Sequence, residues 1–301
     1  MKAVIQQRLG GPEVLETAEV EIPEPGPGEV LVHMRATAVN VVDCKLRSGA
    51  VTFLGPPPFT VGFDVSGLVE AVGPDVDRFV PGELVFGMVH SRTGTYSEYV
   101  VASADSLSPL PQALREVEAA ALPTAAMTAW QSLAAAKLQE GERILVHAAA
   151  GGVGHLAVQF AKQRGAYVIG TARKANHDFL HEVGIDQVID YTTTDFTSSL
   201  EEVDVVLDLV GGEYGHRSLQ VLRRHGRYIT TQASDASPDP RYRSITARPR
   251  PSELTIIAEL VTAGCLRIHV DRILPLDEVV RAHTVSESGR VRGKLVLTPW
   301  R

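Results

Sequence analysis

His147-Ala148-Ala149-Ala150-Gly151-Gly152-Val153-Gly154 is the stretch on which the reading of this 301-residue chain turns. It follows Ile144-Leu145-Val146, an apolar run of the length of one buried strand. After it, Leu156, Ala157, Phe160 and Ala161 recur at helical spacing until Gly165 offers a stop. A turn of small residues between a strand and a helix N-terminus lets backbone N–H groups approach a phosphate, and the helix dipole favours its charge. A side chain there would hold a pyrophosphate away or clash with a positive-φ turn. The order Ala148-x-x-Gly151-x-x-Gly154 is a relative of the dinucleotide fingerprint, not the standard G-x-G-x-x-G. Ala150, Gly151, Gly152 and Val153 are the positions predicted to face the phosphates. Glycine-rich strand–helix turns also occur without ligands, so the neighbouring segments decide.

The next apolar strand, Tyr167-Val168-Ile169-Gly170-Thr171, runs into Ala172-Arg173-Lys174, with no carboxylate before Asp178. About 20 residues past the glycines, a fold that selects NADH places an acid for the ribose 2′-hydroxyl. A carboxylate there would repel a 2′-phosphate, whereas Arg173 forks onto one and Lys174 adds a point charge. Thr171, Arg173 and Lys174 therefore predict NADPH in preference to NADH. The alternative for the basic pair is a solvated surface turn.

Composition narrows the class. A hydrophobic content of 44% with 22% charged residues is that of an ordinary globular protein, and the length suits two domains. A net charge of -7 gives no reason to expect nucleic acid or an anionic membrane as partner. Arg241, Arg243, Arg248 and Arg250 form the one local exception, readable as solvated loop charge or as a cofactor-phosphate contact. Two cysteines, Cys44 and Cys265, cannot build a disulfide framework and fit a reducing cytosol. The start Met1-Lys2-Ala3-Val4-Ile5 is too short an apolar run for a signal peptide, and the most apolar region, 119–130, is interrupted by Pro123. These features predict a cytoplasmic protein without a membrane partner.

Residues 1–115 read as β-rich, with β-branched runs at 29–33, 65–69 and 98–101 between Pro/Gly turns. From 116 the texture changes. An Ala-rich helix at 117–137 leads into strands at 143–148, 167–171, 187–190, 203–208 and 227–231, with helices near 153–164, 176–183 and 214–223 between them. That alternation predicts a doubly wound parallel sheet with right-handed crossovers. A last strand near 244–248 and a helix at 251–263 complete it, and 234–240 is the most loop-like piece. The tail 265–301 returns to β texture and is expected to rejoin the first domain. The predicted division is 1–115 with 265–301, and 116–264.

With both halves placed, the chain resembles the zinc-independent medium-chain dehydrogenase/reductases of the quinone oxidoreductase and enone reductase type. The resemblance spans nearly the whole length. It rests on Asn40-Val41-Val42-Asp43-Cys44-Lys45, Gly62-Phe63-Asp64-Val65-Ser66-Gly67, Gly94-Thr95-Tyr96-Ser97-Glu98-Tyr99, the stretch from Leu122-Pro123 to Ala129-Trp130, the Gly151-Gly152-Val153-Gly154 turn, Val188-Ile189-Asp190-Tyr191 and Arg292-Gly293-Lys294. It implies a GroES-like catalytic domain, a Rossmann domain holding NADPH, a site in the cleft between them and, commonly, homodimers. Alcohol dehydrogenases of the superfamily hold Zn²⁺ through Cys and His. Here Asn40 stands where a Cys ligand would be, Gly62-Phe63-Asp64 replaces a Gly-His-Glu block, and no Cys lies between Gly82 and Tyr96. No metal is expected.

Without a Lewis acid, reducing an already activated acceptor is easier than oxidising an alcohol. Hydride arrival on a quinone or an α,β-unsaturated carbonyl creates an oxyanion that needs only hydrogen-bond donors and a nearby cation. By match to the family's Asp-x-Lys motif, Lys45 is expected to orient the nicotinamide ribose or steady the oxyanion; a solvated loop lysine is the alternative. Asn40 is expected to bind substrate or ribose hydroxyls, or to shape a turn. Asp43 pairs with Lys45 or Arg47, or caps a helix. Thr128 is expected to touch the nicotinamide, or to bond its own helix carbonyl. Tyr191 is placed beside the adenine or the 2′-phosphate, and Val210-Gly211-Gly212 beside the cofactor ribose. Cys44 reads as a small buried hydrophobe before a reactive thiol. The loop 48–60 carries Phe53 and Phe59 and no Tyr, so the acceptor wall is apolar and supplies no proton. Two further readings stay open: a trans-acting enoyl-thioester reductase, and a non-enzymatic, crystallin-like NADPH-binding protein.

Overall fold

The computed structural model describes residues 1–232 and 237–301, so the loop expected at 234–240 lies partly outside the described residues. The chain divides into two compact units, Met1–Thr124 with Pro249–Arg301, and Ala125–Arg248.

The second unit is built on six parallel strands in the order Gln187–Ile189, Tyr167–Thr171, Arg143–Val146, Val203–Asp208, Leu222–Thr230, Tyr242–Ser244. Chain order runs outward in both directions from Arg143–Val146, so its junction with Val203–Asp208 is the switch point of a doubly wound sheet. The two central strands are buried nearly throughout, as parallel strands covered on both faces must be. Leu145, Ile169, Val206 and Tyr228 form part of one core cluster with Phe196 and Val221. The helix predicted at 117–137 is two helices, Glu116–Ala120 and Pro123–Ala136, because Pro123 cannot continue a helix and instead starts the next.

The turn at the switch point is tight. Ala148 adopts φ 52°, and Ala149 N–H donates to the Thr171 carbonyl at 3.1 Å. Helix Gly154–Gln163 begins so close to the strand end that a Cβ at position 154 would lie 2.3 Å from the Ala148 carbonyl oxygen. Gly154 is required there by packing. At Gly151 the same contact would be 3.3 Å, which a small shift relieves.

The first unit centres on the eleven-residue strand Glu29–Val39. One edge pairs antiparallel with Asp64–Val72; the other pairs first with Tyr99–Ser103 and then with Lys294–Thr298. Leu84–Met88 and Leu107–Pro109 extend the sheet on one side and Val270–Pro275 on the other. Lys2–Gln6 and Leu15–Glu19 form a separate hairpin pair. The tail contains the helix Val279–Glu287 as well as the expected strand. A helix, Val41–Ser48, interrupts the β-rich half directly after the long strand.

Packing moves both predicted domain boundaries. Ala120 and Ala121 pack on Ala36, Ala38 and Val296, which ties the short helix to the first unit's sheet. Helix Pro251–Thr262 joins the same unit, where Ser108 Oγ donates to the Pro251 carbonyl at 3.0 Å. The predicted breaks at 115/116 and 264/265 are therefore corrected to 124/125 and 248/249.

Gly154→Ala is expected to lower unfolding free energy by about 3 kcal/mol, at the upper end of overpacking costs, and Gly151→Ala by far less. Denaturant titration of the two variants checks this contrast.

Candidate active site

In the second unit, the loops leaving the two central strands meet the requirements of a phosphate cradle. Gly151, Gly152 and Val153 are partly exposed, and the N–H groups of Gly152, Val153 and Gly154 have no backbone acceptor among the described residues, as at any helix start. Ala150 is buried beneath them. Thr171 lies elsewhere than expected: it is 1% exposed, and its hydroxyl bonds Ala148 N–H at 3.3 Å and His147 Nδ1 at 3.1 Å. It holds the turn in place instead of facing a ligand.

His147 completes that support. Its Nε2 meets Ser218 Oγ at 2.8 Å, its backbone N–H donates to Leu207, and Phe196 and Tyr214 pack edge-on against the ring. Burial lowers its pKa to about 4, so it is neutral near pH 7. Next to it, the buried Asp208 carboxylate accepts from Val210 N–H at 2.8 Å and Gly211 N–H at 3.0 Å and from the Tyr228 hydroxyl. Asp208 thus shapes the Val210-Gly211-Gly212 turn, in which both glycines take positive φ. A single carboxylate ending an apolar strand before a glycine pair is a signal the sequence carries; the Tyr228 contact, twenty residues on, is not.

At the tip of the next strand, Arg173 Nε donates to Tyr191 Oη at 2.9 Å, bringing two predicted phosphate residues together at the surface. Lys174 begins the adjoining turn, and its backbone N–H is taken by Asp190 Oδ2 at 3.1 Å. Asp190 also accepts from Thr192, so its charge is turned into the loop, and these bonds hold its pKa below the usual carboxylate range. Thr128 is buried on the helix Pro123–Ala136. Arg241 is paired with Asp239, and Arg243 donates to the Ala135 carbonyl, so these two serve the fold.

In the first unit, three strand ends converge: Asn40 follows Glu29–Val39, Asp64 opens the neighbouring strand, and Lys294 opens the tail strand. Lys294 is 3% exposed, and its ammonium donates to Asn40 Oδ1 at 2.5 Å, the Val39 carbonyl at 3.2 Å and Asp64 Oδ2 at 3.5 Å. Asn40 Nδ2 donates to the same Asp64 oxygen at 2.9 Å, while Asp64 Oδ1 accepts from Thr124 N–H at 2.7 Å. Three acceptors match the three donors of an ammonium. Both ends of the Asn40 amide are engaged, so it positions Lys294 where a substrate or ribose contact was expected. No spacing rule links residues 40 and 294, and Lys294 was missed as a site residue.

Asp43 caps the helix, accepting from Asn40 N–H at 2.7 Å, and also accepts from Gly62 N–H at 3.0 Å and the Tyr96 hydroxyl at 3.3 Å. The ion pair considered for Arg47 goes to Glu287 instead. Burial, reinforced by the nearby Asp64 charge, pushes Asp43 up to about 7 despite these donors. Tyr96 passes the network to His283 Nε2 at 3.3 Å, and His283 Nδ1 to Cys44 Sγ at 3.5 Å. Burial pushes the Cys44 thiol up to about 12, the behaviour of an inert core residue. Lys45 is half-buried on the helix, not on a loop.

Among the described residues no three His, Cys, Asp or Glu side chains are grouped to hold a metal, and no helix is long and apolar enough to cross a membrane. Residues 26–112 match the alcohol dehydrogenase GroES-like domain and residues 183–297 the zinc-binding dehydrogenase domain. A 2-haloacrylate reductase of a Burkholderia species is 33% identical over 99% of this chain and 99% of its own. The quinone oxidoreductase of Coxiella burnetii superposes with TM-score 0.95 at 37% identity, covering 99% of each chain. The Escherichia coli quinone oxidoreductase complexed with NADPH gives TM-score 0.91 at 28% identity, over 99% of this chain and 100% of its own. The chain belongs to the medium-chain dehydrogenase/reductase family, of the quinone oxidoreductase and enone reductase type, with a GroES-like unit and a Rossmann-type unit. It is an oxidoreductase.

Removing one partner of a buried ion pair leaves the other uncompensated. Lys294→Met is expected to cost about 3–5 kcal/mol, with at least half recovered in Lys294→Met/Asp64→Asn, measured by denaturant titration. His147, with a lowered folded pKa, contributes stability that is present above pH 6.5 and lost as pH falls toward 4. The stability gap between wild type and His147→Gln should therefore narrow over that window, by up to roughly 3 kcal/mol.

Proposed function

We propose that this oxidoreductase uses NADPH, without zinc, to reduce a quinone or an α,β-unsaturated carbonyl. Three features support the cofactor assignment. The turn at 150–153 is made of Ala, Gly, Gly and Val, the N–H groups of Gly152 and Val153 have no backbone acceptor among the described residues, and Arg173 bonds Tyr191 at the tip of the next strand. Gly152 and Val153 would bind the pyrophosphate, Val210 and Gly211 the ribose, Thr128 the nicotinamide, and Arg173 with Lys174 the 2′-phosphate. When bound, the reduced nicotinamide supplies a hydride.

The observation that carries the zinc-independent reading is the buried ammonium of Lys294, seated on Asn40 and Asp64. A fixed positive charge on those oxygens opposes a dication and satisfies the acceptors that would otherwise seek one. With no Lewis acid to activate an alcohol, the favoured substrate is one whose carbonyl already draws in the hydride. Lys45, on the helix that Asn40 starts, is assigned to the side where negative charge develops. The tail strand, clamped by Lys294, serves this role only indirectly, by fixing that helix start. The proposed assembly is a homodimer acting on a small molecule.

Loss of absorbance at 340 nm (the reduced nicotinamide band), followed across benzoquinones, simple enones and crotonyl thioesters, tests the reading. Turnover of quinones or enones above thioesters is expected, and thioester preference would favour the enoyl-reductase alternative. Tight NADPH binding with no turnover of any acceptor would leave a binding protein. Arg173→Ala should weaken NADPH roughly 10- to 100-fold, by loss of one charge-assisted fork, and leave NADH unchanged.

A further inference from the structure

The same end of the first unit's sheet holds a side chain that the cofactor and the Lys294 cluster leave unused. Asp64 pairs with Met88 across the sheet, and Val89 N–H donates to the Phe63 carbonyl at 2.6 Å. His90 is therefore delivered beside Phe63, with ring centroids 5.3 Å apart and planes at 83°. Phe53 also approaches Phe63, with ring centroids 6.0 Å apart. The loop that carries Phe53 is stapled to the His90 loop by Arg92, whose guanidinium donates to the carbonyls of Leu54, Pro56 and Pro58. Thr60 N–H returns a bond to the Arg92 carbonyl at 2.9 Å. Phe53 is 62% exposed and Val41, at the start of the Lys45 helix, 61% exposed. Phe53, open to solvent and packed against Phe63, offers an apolar face to a flat, conjugated molecule.

Neither phenylalanine nor Val41 offers a hydrogen bond. His90 does: the residue is exposed, its ring packs edge-on against Phe63, and among the described residues neither ring nitrogen is taken by another side chain or by the backbone. Although the residue is exposed, desolvation on its packed side lowers its pKa, against the opposing pull of Asp64, so the neutral ring, with one N–H donor and one acceptor, is favoured near pH 7. The Asp64–Met88 pairing puts His90, two residues on, near the Asn40 end of the sheet.

We propose that His90 is a catalytic residue, its N–H donating to the carbonyl oxygen of the acceptor held against Phe53 and Phe63. This rests on the reductase reading above. As hydride adds to the β-carbon of an enone, the C=C electron pair shifts and the carbonyl π pair moves onto oxygen. The His90 N–H meets that oxyanion, and a proton from water completes the saturated ketone. Two electrons and one hydrogen come from NADPH and the second hydrogen from solvent. For a quinone the same donor meets the phenolate oxygen.

Two variants and two readouts test it. His90→Phe should lower kcat for enones and quinones roughly 100-fold, the effect of deleting one oxyanion donor, with NADPH affinity unchanged. His90→Gln, which keeps an N–H, should recover about a tenth or more of the wild-type rate. Independently of turnover, 4-nitrophenolate added with NADP⁺ serves as an oxyanion mimic. Its affinity should fall about tenfold in His90→Phe, and its bound absorption band should differ between the two proteins. Wild-type turnover matched within twofold by His90→Phe overturns the role of His90 and leaves the reductase reading standing. An inactive wild type whose 4-nitrophenolate binding still depends on His90 overturns the reductase reading and retains the donor. Equal phenolate binding by both proteins overturns the donor outright.

Discussion

The start of helix Gly154–Gln163 reaches the end of strand Arg143–Val146 only because position 154 carries no side chain. That approach presents the first helical N–H groups at the switch point of the sheet, where a doubly wound fold binds its ligand. The surrounding residues maintain it. Thr171 takes the N–H of Ala148 on its hydroxyl and that of Ala149 on its carbonyl, His147 braces Thr171, and Asp208 gathers the facing turn. The proposed cofactor assignment rests on backbone geometry, with Arg173 and Tyr191, in contact at the next strand tip, proposed to choose the ribose end.

The first unit solves a different problem, a charge held out of water. Two carboxylates and one ammonium lie buried together, and such a group is tolerated only when every donor and acceptor is matched. Lys294 finds three oxygens, and the raised pKa of Asp43 removes part of the excess negative charge. The result is a rigid junction of three strand ends and a helix start, with Lys45 on the helix and His90 at the neighbouring strand end. On the proposed function, chemistry at this junction would rely on fixed hydrogen-bond donors and a cation, which suits acceptors that are already electron-poor.

The parallel sheet was legible because its strands are short apolar runs separated by helical spacing, and the turn because glycine at 151, 152 and 154 has few other uses. Arg173 and Tyr191 are each read from the sequence as candidates for the adenosine end of a cofactor, and the structure puts them in contact. Other features were opaque for physical reasons. The helix Val41–Ser48 is eight residues long with buried Asp43 and Arg47, so its pattern is not that of an amphipathic surface helix. The helices 116–120 and 251–262 carry apolar faces that fit either sheet, and only packing assigns them. Asn40 and Thr171 carry the hydrogen-bonding groups a ligand contact needs, yet each spends them on another part of the fold. Which group a polar side chain meets depends on register across strands distant in sequence, as between Asn40 and Lys294.

The most direct test is a crystal structure of the protein soaked with NADPH. The account predicts the pyrophosphate on the N–H groups of Gly152 and Val153, with the 2′-phosphate against the Arg173 guanidinium. A dinucleotide bound away from that turn, or bound there with Arg173 turned from the 2′-phosphate, would contradict it.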